Sequence, residues 1–376
     1  MDLQTNGKPG IYPTNDNEWL TVDVYDDFNL TLIAESGQTF RMRWAGLDLG
    51  YLVQTGDHAA LVREVLYDPD MEPDVIESPG DPGAWTGAVD EDSWKDVPSK
   101  GVEHVERTSP ERPNRIQISC SRDEWEDVWR VWFDMDRSYA ELRRRVVEVG
   151  RKLDDGTALK VNVLMTHGEG IRILRQDPWE TLCTFIISQR RSIPSIKTSV
   201  RKMSEEWGRK ISPPAPLVEA VRAGRLDGEI LSSLVTFPDP AELASVAPAT
   251  LNEIGRLGYR DQYVHDAAER VADGEVDLAS LSSLSDGELL EALESFHGVG
   301  PKIASCTGLF VYGRLGLIPV DVWIQRIIDQ DFNGVNVMEE YGDLGGLIQQ
   351  WTYWWALRNG AGVLDDEMDS VLEDEI

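Results

Sequence analysis

The sequence predicts an α+β fold, with an N-terminal antiparallel β-sheet domain followed by an all-helical domain built around a helix-hairpin-helix. Three observations carry this. Short apolar runs separated by turn residues occupy the first third of the chain; from Tyr139 onward apolar residues recur at helical spacing; and Gly298-Val299-Gly300-Pro301-Lys302 interrupts two such helices. The expected divisions are 1–136 for the sheet domain, 137–363 for the helical domain and 364–376 for an acidic tail.

Residues 1–17 are polar and rich in Gly, Pro and Asn, which predicts a loose arm. Strands are expected at 20–24, 30–33, 39–44 and 51–54, with 115–120 and 128–133 as a further pair of the same antiparallel sheet. Between these groups, 68–114 is dense in Pro, Gly, Asp and Glu and is expected to be a solvated acidic insertion. Ser36-Gly37-Gln38-Thr39-Phe40-Arg41 has the composition of a turn entering a strand.

In the helical half, Leu142, Val146 and Val149 follow Tyr139 in phase. Asp177 should cap the next helix, with Pro178 at its first position and Glu180 at the capping-box position. That helix runs through the apolar Leu182, Phe185 and Ile186 into Ser188-Gln189-Arg190-Arg191, a polar end that suits either solvent or a nucleic-acid duplex. Near the C-terminus, most aromatics of Trp351-Thr352-Tyr353-Trp354-Trp355 should be core. Gln349 and Tyr353 are four apart on one face, so they can offer an amide edge and a stacking plane to a base.

The hairpin has the most specific chemistry. Ser285 and Asp286 are capping candidates for a helix over 284–294, which must stop before His297 and Gly298. The glycines at 298 and 300 can take positive φ and leave backbone N–H groups open to an anion. Pro301 suits the first position of the following helix, whose buried face is marked by Ile303, Thr307, Phe310 and Val311. Lys302 then falls in the first turn, where the positive end of the dipole disfavours a cation, and Cys306 lies four residues on over the same face. Two roles are open to Lys302: a phosphate contact, or chemistry by its amine. Nineteen residues further on, Asp321 precedes a helical segment and is a good N-cap. Capping alone explains its place; equally, a carboxylate fixed by backbone donors suits the stabilisation of positive charge on a sugar.

The bulk composition constrains the partners. A net charge of −31, with arginine supplying most of the cations, points to a salt-rich cytoplasm such as that of a halophilic archaeon. It argues against non-specific DNA binding by a basic surface. In molar salt, however, the Debye length is about 3 Å, so distant carboxylates are screened and short N–H to phosphate contacts can carry binding. With 41% hydrophobic residues and 13 Trp, a disordered acidic protein is a poor fit. Cys120, Cys183 and Cys306 are too few for a four-cysteine iron–sulfur cluster and are expected as reduced thiols. No apolar run of membrane-spanning length is visible, so a soluble, cytoplasmic protein with no membrane partner is expected.

In these motifs the chain resembles the 8-oxoguanine DNA glycosylase family of the helix-hairpin-helix superfamily. The likeness rests on SGQTFR at 36–41, FDMDRSYAEL at 133–142, GIRILRQDPWE at 170–180, FIISQ at 185–189, GVGPKIASC at 298–306, PVDV at 319–322 and the Gln349/Tyr353 pair. The resemblance implies a glycosylase with AP lyase activity, acting as a monomer on double-stranded DNA that contains a damaged base. It makes Lys302 the nucleophile that forms a Schiff base and Asp321 the carboxylate that assists base departure. It places Cys306 beside the base, gives the Gly37 carbonyl the hydrogen on N7 of the oxidised purine, gives Gln349 the pairing edge and gives Tyr353 the stacking face. Gly298, Val299 and Gly300 would hold a phosphate, with Gln189, Arg190, Arg191 and Trp323 as further DNA contacts. No metal or organic cofactor is implied beyond a monovalent cation at the hairpin.

The chain also departs from the family. Arg190, Arg191 and Ser192 replace an asparagine run, and Trp323 stands where a phosphate-contacting His is common. His297 is expected to be a surface residue of the hairpin. A glycosylase for another lesion, such as an alkylated base or hypoxanthine, and a non-catalytic DNA-binding module are the alternatives.

Overall fold

The computed structural model describes residues 19–66, 68, 70–77 and 113–365. The expected N-terminal arm, most of the acidic insertion and nearly all of the acidic tail lie outside the described residues. A six-stranded sheet runs in the order β2-β3-β4-β6-β1-β5, formed by β1 (Leu20–Val24), β2 (Met42–Gly46), β3 (Gly50–Thr55), β4 (His58–Val65), β5 (Val75–Glu77) and β6 (Asn114–Ile118). Pairing is antiparallel except between β1 and β5.

Both faces of the sheet are covered, which is why its strands read as near-continuous apolar runs. On one face Val22, Tyr51, Val53, Ala60, Val62 and Ile116 pack against Trp125, Trp129, Trp132 and Phe133. Leu52 and Leu61, one residue out of phase, point the other way, against Leu217, Val218, Leu231 and Leu234. The helical region therefore reaches back over the outer face of the sheet.

The helices that position the site are α1 (Leu30–Glu35), α2 (Tyr139–Gly150), α3 (Asp155–His167), α4 (Pro178–Ser188), α5 (Ile193–Trp207), α6 (Arg260–Ala272), α7 (Asp286–Glu294), α8 (Pro301–Phe310), α9 (Val322–Asp331) and α10 (Gly345–Asn359). From α2 onward they share a single apolar core that runs from Tyr139 to Leu364, which α1 joins through Leu32 while its Leu30, Ile33 and Ala34 pack in the core of the sheet.

Several expected strands are corrected. Residues 30–33 are helical: the Asn29 side chain accepts the Leu32 N–H at 2.9 Å and starts α1. Residues 128–132 are also helical, with Phe133 as the C-cap, because the Ser121 side chain caps a helical run and the aromatics at 125, 129, 132 and 133 recur on one face. The 39–44 strand begins later, at Met42, and β4 went unread. Within the acidic insertion, 75–77 forms β5, so the sheet is not wholly antiparallel.

Two fully buried side chains join the halves. Arg172 donates to the carbonyls of Phe133, Asp27, Asp134 and Arg137 at 2.7–3.0 Å and pairs with Asp26 at 3.0 Å. Gln38 donates to Ser36 Oγ and the Arg172 carbonyl at 2.9 Å, and accepts from the Leu174 N–H at 2.8 Å. With every polar atom of its amide used, Gln38 fixes the 36–41 turn against the helical half.

Candidate active site and nucleic-acid interface

The hairpin is built from its caps inward. Ser285 and Glu288 form a capping box at the start of α7, and Val299 N–H closes the turn on the Phe296 carbonyl at 3.0 Å. Gly298 has φ +81°, and a β-carbon there would lie 2.3 Å from Tyr263 Cδ2, so the position admits only glycine. Gly300 departs from expectation: its φ of −109° and ψ of −178° are extended and open to any residue. A β-carbon at Gly300 would meet nothing within 4 Å, so its backbone is open to a close-approaching group.

Gly300 is the N-cap of α8 and Pro301 its first residue, which puts Lys302 in the first turn as the sequence predicts. Lys302 is half-buried, with its Nζ 5.2 Å above the centre of the Phe185 ring. Cys306 is buried beneath it. Burial pushes the Cys306 thiol up, the neighbouring Lys302 amine pulls it down, and Asp321 raises it again. These three groups thus share one electrostatic environment.

Asp321 is the N-cap of α9, and its Oδ1 accepts the N–H groups of Trp323 and Ile324 at 2.9 Å each. Both capping bonds fall on one oxygen, leaving Oδ2 outside them. Tyr353 completes the cluster: burial raises its phenol, and Asp321 and Cys306 raise it further.

The N-terminal half contributes Gly37, at φ +78°, directly against Tyr353. Beside it the Ser36 carbonyl accepts from Gln350 Nε2 at 2.8 Å. One turn before Tyr353, Gln349 is 5% exposed, and its amide oxygen has no hydrogen-bond partner among the described residues. Such a group costs about 1–3 kcal/mol unless a ligand satisfies it.

Glu180 is not part of a capping box. Asp177 Oδ1 accepts the Glu180 N–H at 2.7 Å as predicted, but the Glu180 carboxylate pairs with Arg41 Nε at 3.4 Å. Burial pushes this carboxyl up to about 7, against the pull of Arg41.

Around the hairpin, Gln189 Nε2 donates to the Gly298 carbonyl at 3.2 Å, so the end of α4 is tied to the turn. Arg190 is exposed and has φ +52°, uncommon for a non-glycine residue. Arg191 folds back, donating to Ser195 Oγ at 2.6 Å and 3.0 Å. Trp323 is 41% exposed at the start of α9, with the Arg326 guanidinium 5.1 Å from its ring. Two residues of this surface escaped the sequence reading. Arg260 donates to the Gln189 carbonyl and stacks at 4.4 Å over Tyr259, which is 53% exposed. An aromatic next to an arginine after Gly258 was the available signal. His297 is exposed as expected, but it is hydrogen-bonded to Asp266. No helix among the described residues is long and apolar enough to cross a membrane.

Comparison with known proteins bears on this geometry. Residues 20–182 match the family model of the 8-oxoguanine DNA glycosylase N-terminal domain, and residues 183–337 match that of the HhH-GPD superfamily base excision DNA repair protein. The N-glycosylase/DNA lyase of Saccharomyces cerevisiae is 33% identical over 175 residues, a match covering 44% of this chain and 42% of the yeast protein. A probable N-glycosylase/DNA lyase of Methanothermobacter thermautotrophicus is 24% identical over 267 residues, covering 64% of this chain and 76% of that protein. The structure of MBOgg1 in complex with a low-affinity DNA ligand superposes with a TM-score of 0.67 at 26% identity, over 93% of this chain and 100% of that one. The Clostridium acetobutylicum 8-oxoguanine glycosylase/lyase, at 24% identity and a TM-score of 0.62 over 92% and 99% of the two chains, shares the fold. With a matching model on each side of position 182 and the hairpin in its expected place, the chain belongs to the 8-oxoguanine DNA glycosylase family of helix-hairpin-helix base-excision repair proteins.

Proposed function

We propose that the protein excises 8-oxoguanine from duplex DNA and then cleaves the strand as an AP lyase, acting as a monomer in the cytoplasm. The observation that supports this is the convergence of Lys302, Cys306 and Asp321 with Tyr353, itself packed on Gly37: an amine, a thiol, a carboxylate and an aromatic ring share one site.

The target base must leave the stack to reach this site. Its ring would lie on Tyr353, with Gln349 on its pairing edge and the Gly37 carbonyl accepting the N7 hydrogen that only the oxidised purine carries. Lys302 reacts as the neutral amine. Its Nζ forms a bond to the sugar C1′ as the glycosidic bond breaks; the base departs with that electron pair and takes up the proton that the newly bonded amine releases. Positive charge develops on the sugar meanwhile, and the Asp321 carboxylate, held in place by two backbone N–H groups, stabilises it without reorganising. The sugar ring then opens as the C1′–O4′ bond breaks, with O4′ keeping that electron pair and taking the remaining amine proton, which gives the Schiff base. Loss of the proton next to the imine then expels the 3′ phosphate by β-elimination.

The backbone of Gly298, Val299 and Gly300 would receive a phosphate, with Gln189, Arg190 and Trp323 facing the duplex nearby. A monovalent cation at this turn would find backbone carbonyl oxygens as ligands, a donor set suited to a hard cation. It would add positive charge next to the phosphate in a chain of strongly negative net charge.

The test is excision in concentrated KCl from duplexes carrying 8-oxoguanine, hypoxanthine or 3-methyladenine in one sequence context. Preferential release of 8-oxoguanine followed by strand scission is expected. Preferential release of either other base would overturn the substrate assignment, and binding without release of any base would overturn the enzymatic reading.

A further inference from the structure

Away from that site, one face of α6 gathers His265, Asp266 and Glu269. Each offers a metal-ligating atom, and these atoms lie within 4.8 Å of one another. Carboxylates on the surface of so acidic a chain are usually just solvated. Two features set this group apart.

The first is His265, whose Nδ1 is buried and lacks a hydrogen-bond partner among the described residues. It faces Glu269 Oε2 at 3.5 Å. With metal–ligand bonds of about 2.0–2.2 Å, two ligand atoms on one tetrahedral ion stand roughly 3.4 Å apart. The second feature is Asp266, already oriented by two donors: Gln262 Nε2 at 2.7 Å on Oδ1 and His297 Nδ1 at 2.7 Å on Oδ2. Outer partners of this kind fix a ligand before any ion arrives.

We propose that His265, Asp266 and Glu269 bind a divalent transition-metal ion of the zinc class, with His297 as the positioning partner of Asp266. One imidazole with two carboxylates suits Zn²⁺, Co²⁺ or Ni²⁺ better than the all-oxygen sets that hold Mg²⁺ or Ca²⁺. Its place in the fold gives the ion a consequence. His297 immediately precedes Gly298, and the Tyr263 ring meets the His297 ring edge-on at 4.5 Å while lying under Gly298. An ion on α6 therefore fastens that helix to the hairpin, and its occupancy is coupled to the order of the hairpin backbone.

The test uses the full chain, stripped with chelator and returned to concentrated KCl, titrated with CoCl₂ and then ZnCl₂. One saturable equivalent is expected, with a visible cobalt absorption that zinc displaces and a melting temperature that zinc raises and chelator lowers again. His265→Ala should abolish the cobalt band. His297→Ala should weaken binding by about 10–100-fold. Glu269 is exposed, so Glu269→Gln removes a ligand with little risk to folding and should also abolish the band. The proposal is overturned if the wild type shows only weak, unsaturable binding, or if Glu269→Gln and His265→Ala bind as the wild type does.

Discussion

The Tyr353 ring lies directly against Gly37: a β-carbon at position 37 would stand 2.8 Å from Tyr353 Cε1. This contact joins the α1 turn to α10 across 316 positions of sequence and fixes the Gly37 backbone beside the Tyr353 ring. Gly37→Ala meets two obstacles, a φ of +78° and the tyrosine. A loss of about 1–2 kcal/mol in denaturant unfolding is expected, with a larger fall in excision of 8-oxoguanine than in DNA affinity. Adding Tyr353→Ala should recover part of the stability and none of the activity.

Asp321→Asn separates capping from chemistry. Asparagine caps about as well as aspartate, so the unfolding midpoint should barely move. Without its charge, excision should fall by about 10²–10³-fold. Excision retained in Asp321→Asn would mean that Asp321 is only a cap.

Gln349→Ala tests the buried amide oxygen that lacks a protein partner. Removing an unsatisfied polar group should leave stability within about 1 kcal/mol of the wild type. Affinity for an 8-oxoguanine duplex over an undamaged one should fall about tenfold, measured with a Lys302→Gln background to stop turnover.

Glu180 gives the fold a pH dependence. Its carboxyl is pushed from 4.5 up to about 7 by burial. Between those values the folded state holds a proton that the unfolded state has released, so stability falls as pH rises through the window and is flat on either side. At about 1.4 kcal/mol per pH unit the total is about 3.5 kcal/mol, the pull of Arg41 being already contained in the value of about 7. Glu180→Gln should remove this slope while carrying its own constant cost. The comparison is of denaturant midpoints for the two proteins across the window at fixed salt; parallel curves would contradict the assignment.

Local signals made the hairpin side of the candidate site legible. Lys302, Cys306 and Asp321 declare themselves through a glycine turn, a first-position proline, i,i+4 spacing and an N-cap, all set by near neighbours in sequence. The misread elements fail for an equally physical reason. Four-residue runs such as 30–33 fit both the strand and helix periods, and only Asn29 as a cap decides between them. Arg172, Gln38 and the Glu180–Arg41 pair were illegible because their partners are far away in sequence, 134 residues in the case of Gln38 and Arg172. Tyr259 and Arg260 join the hairpin surface only through the fold, by way of the Gln189 carbonyl.

The central claim is that the Lys302 amine attacks the sugar, and borohydride trapping reads it most directly. The protein would be mixed with an 8-oxoguanine:cytosine duplex in concentrated KCl and reduced, and the products separated under denaturing conditions. A covalent protein–DNA adduct is predicted for the wild type. In Lys302→Gln the adduct should disappear and base release should fall by on the order of 10³-fold or more, with duplex binding retained. An adduct that persists in Lys302→Gln, or base release by the wild type with no adduct, would contradict the account.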